Sequence, residues 1–145
     1  MRVALYQPEI AGNVGAVLRT AACLGASVDL IEPIGFVWDD RRVARAAMDY
    51  IDHVAVTRHA GWAAFEASVR GRLVLATTRG ATDLWDARFA PGDVLLFGSE
   101  SAGVPEPVHA RAELKVRVPV RAEVRSLNLS VAVGIVLAEA LRQMR

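Results

Sequence analysis

The sequence predicts an α/β protein, a parallel sheet with helices packed on both faces, formed as a single domain over residues 1–145. Three observations carry that prediction. Short apolar runs alternate along the chain with longer segments of helical spacing. The runs are continuously apolar, as in residues 28–31 and 94–97, which is the pattern of strands buried on both sides. A chain of 145 residues with 53% hydrophobic side chains can bury one substantial core but has no room for two domains.

Residues 3–6 are the first strand, stopped by Pro8. Residues 13–24 have helical spacing and end at Gly25, the residue best suited to the left-handed turn that closes a helix. Residues 28–31 are the second strand, ended by Pro33. Residues 39–48 put Val43, Ala46 and Ala47 on one helical face, with Arg41, Arg42 and Arg45 mostly elsewhere. Trp38-Asp39-Asp40 reads as the cap of that helix rather than as a metal pair. Residues 53–57 form a short strand and residues 62–69 a helix with Trp62, Phe65, Glu66 and Val69 on one stripe. Residues 73–77, 94–97 and 114–118 are buried strands. Residues 128–144 form the last and longest helix. It is apolar nearly all round through Val133, Ile135, Val136, Leu137 and Leu141, and so suits a core or a subunit interface.

Composition excludes several classes. Cys23 is the only cysteine, which removes an internal disulfide and any cysteine zinc cage. His53, His59 and His109 lack metal-ligand spacing and have no acidic neighbours in register, so no metal is expected. The uncharged run from Ser126 to Ala138 is too short to span a bilayer, and the first residues lack a cleavable signal pattern. A cytoplasmic protein without membrane partners is expected. Seventeen basic against sixteen acidic residues leave a formal charge of +1, so bulk charge does not argue for nucleic acid. Lys115 is the sole lysine; the arginine bias fits either genomic composition or phosphate recognition by guanidinium forks.

Ligands of parallel sheets sit beyond the carboxyl ends of strands. Here those ends are Gln7-Pro8-Glu9, Thr77-Thr78-Arg79-Gly80, the stretch from Gly98 to Gly103, and residues 119–125. Three segments stand out. In Asn13-Val14-Gly15-Ala16-Val17-Leu18-Arg19, Arg19 is the only charge between Glu9 and Asp29, which points to a specific partner. Gly15, one turn earlier, permits close approach by a backbone or a ligand. Asn13 also suits a helix cap. In Phe97-Gly98-Ser99-Glu100-Ser101-Ala102-Gly103-Val104-Pro105, a strand runs into glycines, serines and one carboxylate, then a proline that can open a helix. It has neither the lysine and spacing of a P-loop nor the dinucleotide fingerprint. In Arg125-Ser126-Leu127-Asn128-Leu129-Ser130, Ser126 or Asn128 caps the final helix.

In this order, and over nearly the whole chain, the three segments resemble the three motifs of the SPOUT superfamily of methyltransferases. More narrowly, the chain resembles small tRNA 2′-O-ribose methyltransferases of the TrmL type. Glu32-Pro33, Gly35-Phe36, Trp38-Asp39-Asp40, Asp49-Tyr50 and Thr57-Arg58-His59 also read like that subgroup. The resemblance implies a C-terminal trefoil knot, a homodimer, and methylation of the wobble nucleotide of tRNA, cytidine or uridine 34. It implies S-adenosyl-L-methionine as cofactor and S-adenosyl-L-homocysteine as product. By position, the cofactor pocket would use the backbone of Ala76, Thr77, Gly98, Glu100, Gly103 and Val118, with Ser126 and Leu127. Arg19, Asn13, Ser126 and Asn128 would form the catalytic group, and Arg41, Arg42, Arg45, Arg121 and Arg125 are candidate RNA contacts. Against the larger SPOUT plan no added RNA-binding domain is expected, and Ala138 stands where close relatives can carry an aromatic residue. Three other readings remain open on sequence alone: a related methyltransferase acting on another tRNA position or on rRNA, a nucleotide-dependent oxidoreductase, and a non-catalytic RNA-binding dimer.

Overall fold

The structure, a computed structural model, describes residues 1–79 and 82–145. Gly80, expected in the loop after the fourth strand, lies outside the described residues. The elements alternate as the spacing predicts. Strands β1 (Arg2–Tyr6), β2 (Ser27–Ile31), β3 (Val56–His59), β4 (Leu73–Ala76), β5 (Thr82–Asp83), β6 (Val94–Phe97) and β7 (Leu114–Arg117) form one sheet. Its order is β3-β2-β1-β6-β4-β7-β5. Every pairing is parallel. Helices α1 (Ala11–Leu24), α2 (Asp40–Ala46), α3 (Trp62–Ser68), α4 (Glu106–Arg111) and α5 (Leu129–Arg142) connect and cover it.

Strand alternation decides which helix covers which face. Val3 and Leu5, Val74, and Leu95 and Phe97 pack with Val14, Val17, Leu18 and Ala21 of α1 and with Val133, Val136 and Leu137 of α5. Their neighbours Ala4, Leu73, Leu75, Val94 and Leu96 point the other way, onto Phe65 of α3 and Val108 of α4. Helices therefore lie on both faces, and the continuous apolar runs have the cause proposed for them.

Several expectations shift in detail. The third strand lies at Val56–His59 rather than at 53–57, because Tyr50–His53 is wound into a 3-10 turn. The two-residue strand β5 has too little pattern to be read from sequence. The last helix is no longer than α1; each has 14 residues. His59 does have acidic company. Its Nε2 lies 2.7 Å from Asp29 Oδ1, brought there by the β2–β3 register, and Arg2 holds the same buried carboxylate with two bonds of 2.9 Å. That network neutralises a charge inside the sheet.

The chain runs outward from β1 to β3, then returns to place β4 beyond β6, with β6 inserted beside β1. The carboxyl ends of β4, β6 and β7 are thus neighbours, at the point where the strand order changes direction.

Candidate active site

A cleft of about 870 Å³ opens over those strand ends, within the roughly 300–1,000 Å³ of small-molecule sites. Ala76, Thr77, Gly98, Glu100, Gly103, Val118, Ser126 and Leu127 all line it, as do Asn13 and Asn128. The loops that carry the three sequence segments therefore meet at one place.

The middle segment is a closed loop. Ser99 and Gly103 exchange two backbone hydrogen bonds of 3.0 Å, and Ser99 Oγ donates to the Gly103 carbonyl at 3.2 Å. Gly103 sits at φ 64°, and a Cβ at Gly98 would lie 2.5 Å from the Gly103 backbone. Both glycines are needed to bend the chain back on itself. The amide of Gly103 is spent on this closure, as the amide of Thr77 is spent on the Val116 carbonyl at 2.8 Å. At those two positions the backbone shapes the cleft wall while its N–H bonds inside the protein.

The Glu100 side chain has a task of its own, separate from the backbone contact expected of that residue. Its carboxylate accepts from the amide of Glu9 at 2.8 Å, the amide of Ile10 at 3.2 Å and Asn13 Nδ2 at 3.2 Å. Helix α1 begins after Ile10, which has no side-chain cap, so Glu100 caps this helix from the carboxyl end of the neighbouring strand β6. Asn13, expected as the cap, instead lies inside the first turn and is buried. In return, the Glu9 carboxylate accepts from Ser101 Oγ at 2.6 Å and from the Ser101 amide at 3.0 Å. Those bonds from Ser101 lower the Glu9 pKa below the usual glutamate value.

The third segment joins through Asn128, whose Nδ2 donates to Asn13 Oδ1 at 3.0 Å. Its Oδ1 accepts from the amide of Ser130 at 2.9 Å, so Asn128 caps α5, as expected. A polar chain Glu100–Asn13–Asn128–Ser130 therefore ties all three segments at the cleft edge. Ser126 lies beside it on the exposed loop between β7 and α5.

Arg19 stands apart. Six residues beyond Asn13, it is about 9 Å further along α1 and turned some 120° around the axis. It is exposed, does not line the cleft, and bonds neither Asn13 nor Asn128. Instead Nη1 donates to Met48 Sδ at 2.7 Å, and the guanidinium lies 5.4 Å from the centre of the Tyr50 ring. Gly15 does allow a close approach, but by protein: a Cβ there would fall 2.2 Å from Ala46 Cβ, so α2 crosses α1 at that point. Arg41, Arg42 and Arg45 are exposed on α2, and Arg121 and Arg125 are exposed on the loop bordering the cleft.

Sequence reasoning missed the Arg79–Glu106 ion pair, 3.4 Å across the cleft wall. It also missed Met48 and the clasp from Ser101 to Glu9. The only signal for the clasp was the position of Glu9 at the end of β1. Among the described residues, no group of three or more histidine, cysteine, aspartate or glutamate side chains is placed to hold a metal ion. No described helix is long and apolar enough to cross a membrane.

The arrangement is a parallel sheet with a small-molecule-sized cleft built from its strand-end loops. The chain belongs to the SpoU rRNA Methylase family, whose model matches residues 1–138. It is 51% identical over 97% of its length to a tRNA (cytidine(34)-2′-O)-methyltransferase of Beijerinckia indica subsp. indica, of which it spans 90%. A solved structure concerned with the 2-OH methylation of C/U34 on tRNA superposes with a TM-score of 0.93 at 47% identity, covering 99% of this chain and 95% of the other. An AdoMet-bound rRNA methyltransferase from Sinorhizobium meliloti superposes with a TM-score of 0.90 at 29% identity, covering 99% of this chain and 56% of that one.

Proposed function

We propose that this protein methylates the ribose 2′-hydroxyl of the wobble nucleotide of tRNA, cytidine or uridine 34, using S-adenosyl-L-methionine. The observation that carries the reading is the single cleft at which all three motif segments meet, tied by the Glu100–Asn13–Asn128 bonds. Residue-level support comes from the fit of the lining to the cofactor. Leu75, Val104, Val116, Val118 and Leu129 offer apolar wall for a planar base. Thr77 and Ser126 offer hydroxyls for ribose and amino-acid groups. On this reading the loop from Val118 to Asn128 is threaded as a trefoil knot that closes the cleft.

When bound, S-adenosyl-L-methionine supplies a methyl group already activated by its sulfonium. The chain's own residues then have two tasks, alignment and charge stabilisation. Alignment of nucleophile and methyl alone can supply about 7–11 kcal/mol in favourable cases. Asn13 and Asn128, fixed by their partners, hold the edge of the cleft where the nucleotide enters. A guanidinium offers N–H donors and no acceptor, so Arg19 is not given the role of a base. Its guanidinium binds the ribose oxygen or the adjoining phosphate and stabilises the developing alkoxide, while the hydroxyl proton passes to phosphate or water and the methyl–sulfur bond breaks to leave neutral S-adenosyl-L-homocysteine.

Arg19 does not face the cleft of its own chain, so the reading includes a homodimer in which Arg19 of one protomer faces the cleft of its partner. Exposed Ile10 and Leu127 at the cleft rim, with exposed Val131 on α5, give apolar surface for such an association. The Arg41, Arg42, Arg45, Arg121 and Arg125 side chains then contact tRNA phosphates, and the working compartment is the cytoplasm.

The test is incubation with labelled S-adenosyl-L-methionine and tRNA transcripts, followed by nuclease mapping of the methylated position. Label at the ribose of nucleotide 34 supports the reading; label elsewhere, label in rRNA only, or none refutes it. In the same assay Arg19→Ala should retain cofactor binding and lose most turnover.

A further inference from the structure

Resting on the role given to Arg19 above, we propose that Met48 and Tyr50 are positioning residues for its guanidinium, presented by a left-handed turn at Met48 and Asp49.

The Arg19 side chain is held in an unusual way for this protein. Arg2, Arg58, Arg72, Arg111, Arg117 and Arg142 are each paired with a carboxylate. Among the described residues Arg19 has no such partner; it lies against the Tyr50 ring and donates to the Met48 sulfur. A ring face contacts the guanidinium without consuming its N–H donors. A thioether is an uncharged, weak acceptor. The group is therefore oriented while its charge stays uncompensated and most of its five donors stay open. An incoming ribose or phosphate oxygen displaces only sulfur, whereas displacing a carboxylate would cost the ion pair.

The backbone points the same way. Met48 has φ 51° and Asp49 φ 65°, both left-handed. Such a conformation is uncommon for a residue as bulky as methionine and marks a place where strain is kept for a purpose. The turn closes α2 through bonds from the Met48 amide to Arg45 O at 3.2 Å, Asp49 to Ala44 O at 3.1 Å and Tyr50 to Ala47 O at 3.0 Å. Glycine would make the same turn without strain. What glycine lacks is the side chain that reaches Arg19. The close crossing of α1 and α2 at Gly15 and Ala46 fixes this turn against the helix that carries Arg19.

The experiment compares wild type, Arg19→Ala, Tyr50→Ala, Tyr50→Phe, Met48→Gly and the Arg19→Ala/Tyr50→Ala double variant. It reads thermal midpoint, affinity for S-adenosyl-L-homocysteine, and kcat and KM with tRNA. Tyr50→Ala should lower kcat about 10- to 100-fold, the scale of a misplaced reacting group, with cofactor affinity unchanged. Tyr50→Phe should rescue most of that loss, because the ring and not the hydroxyl holds the guanidinium. Met48→Gly should keep or raise the thermal midpoint while kcat falls, a combination that a merely structural methionine would not give. The double variant should be no slower than Arg19→Ala alone.

Wild-type kcat in Tyr50→Ala overturns the proposal, and so does a Tyr50 effect that multiplies fully with that of Arg19→Ala. If Tyr50→Ala fails to fold, wild-type kcat in Met48→Gly overturns it. Full activity in Arg19→Ala refutes the role of Arg19 itself, an outcome separate from the others.

Discussion

Glu100 makes a prediction that can be worked from the geometry. Replacing it with alanine removes the acceptor for the amides of Glu9 and Ile10 and for Asn13 Nδ2. Hydrogen bonds to a charged group contribute about 1.5–3 kcal/mol each when shielded. Only the 2.8 Å bond from the Glu9 amide is short and half-buried, whereas water can replace the carboxylate at the exposed Ile10 amide. We therefore count the one half-buried bond, whose range takes the cost to about 2–3 kcal/mol. A cost of about 2–3 kcal/mol corresponds to a drop of about 6–10 °C in thermal midpoint for a chain of this size. Glu100→Gln keeps one acceptor oxygen and should cost about half as much. Asn13 also loses its anchor, so affinity for S-adenosyl-L-homocysteine and kcat should fall together in Glu100→Ala. Thermal denaturation and calorimetric titration measure both effects. A midpoint shift below about 2 °C in Glu100→Ala would refute the assignment of Glu100 as the cap of α1.

Gly15→Ala places a methyl against Ala46 Cβ. It should destabilise by about 1–3 kcal/mol, against the roughly 1 kcal/mol gain expected of alanine in an open helix; a raised melting temperature would contradict the crossing. Glu139 has its pKa lowered to about 2 by hydrogen bonds from Arg142 and Gln143. Its folded value lies below its unfolded one, so its contribution to stability is present above about pH 4.5 and fades as pH falls towards 2; Glu139→Gln should flatten that acid limb of the stability–pH curve. Arg121→Ala and Arg125→Ala should each reduce the salt slope of tRNA binding by about one and leave the melting temperature unchanged; an unaltered slope removes them from the phosphate contacts.

The fold was legible because burial on both faces of a parallel sheet leaves a strong mark. Residues 28–31 and 94–97 have no polar face to show, and the helices between them do. Local chemistry located Gly25 and Asn128 at helix ends. What was not legible depends on contacts between segments far apart in sequence. The cap of α1 comes from Glu100, a remote carboxylate that no local pattern around Ile10 reveals. Asp29 and His59 meet through strand register. His53 reads as part of the third strand because a single 3-10 turn, Tyr50–His53, has too few residues for a helical period to show. The cleft residues were legible as a set, since loops at adjacent strand ends must converge. The setting of Arg19 was not, because a lone charge on an apolar helix says that a partner exists and not which one.

The charge balance explains how a chain with a formal charge of +1 can still present a cationic surface. What matters to a polyanion is the charge left uncompensated near the contact, since screening limits the reach of distant pairs to about 8 Å at physiological salt. Arg2 and Arg72 neutralise the buried carboxylates Asp29 and Asp93, and Arg111 bridges Glu66 and Glu113; these guanidiniums serve the fold and contribute little external field. Among the described residues, eight exposed arginines have no carboxylate at ion-pair distance; Arg70, Arg88 and Arg145 are three of them, and Arg19, Arg41, Arg45, Arg121 and Arg125 are the other five. Those five lie on α1, on α2 and on the loop bordering the cleft, the elements that the proposed reaction needs beside the nucleic acid. Formal net charge averages the two populations and so hides the second. Were RNA affinity governed by the average, truncating Arg72 and truncating Arg121 would weaken binding equally in folded protein; the separation of roles requires that only Arg121 does.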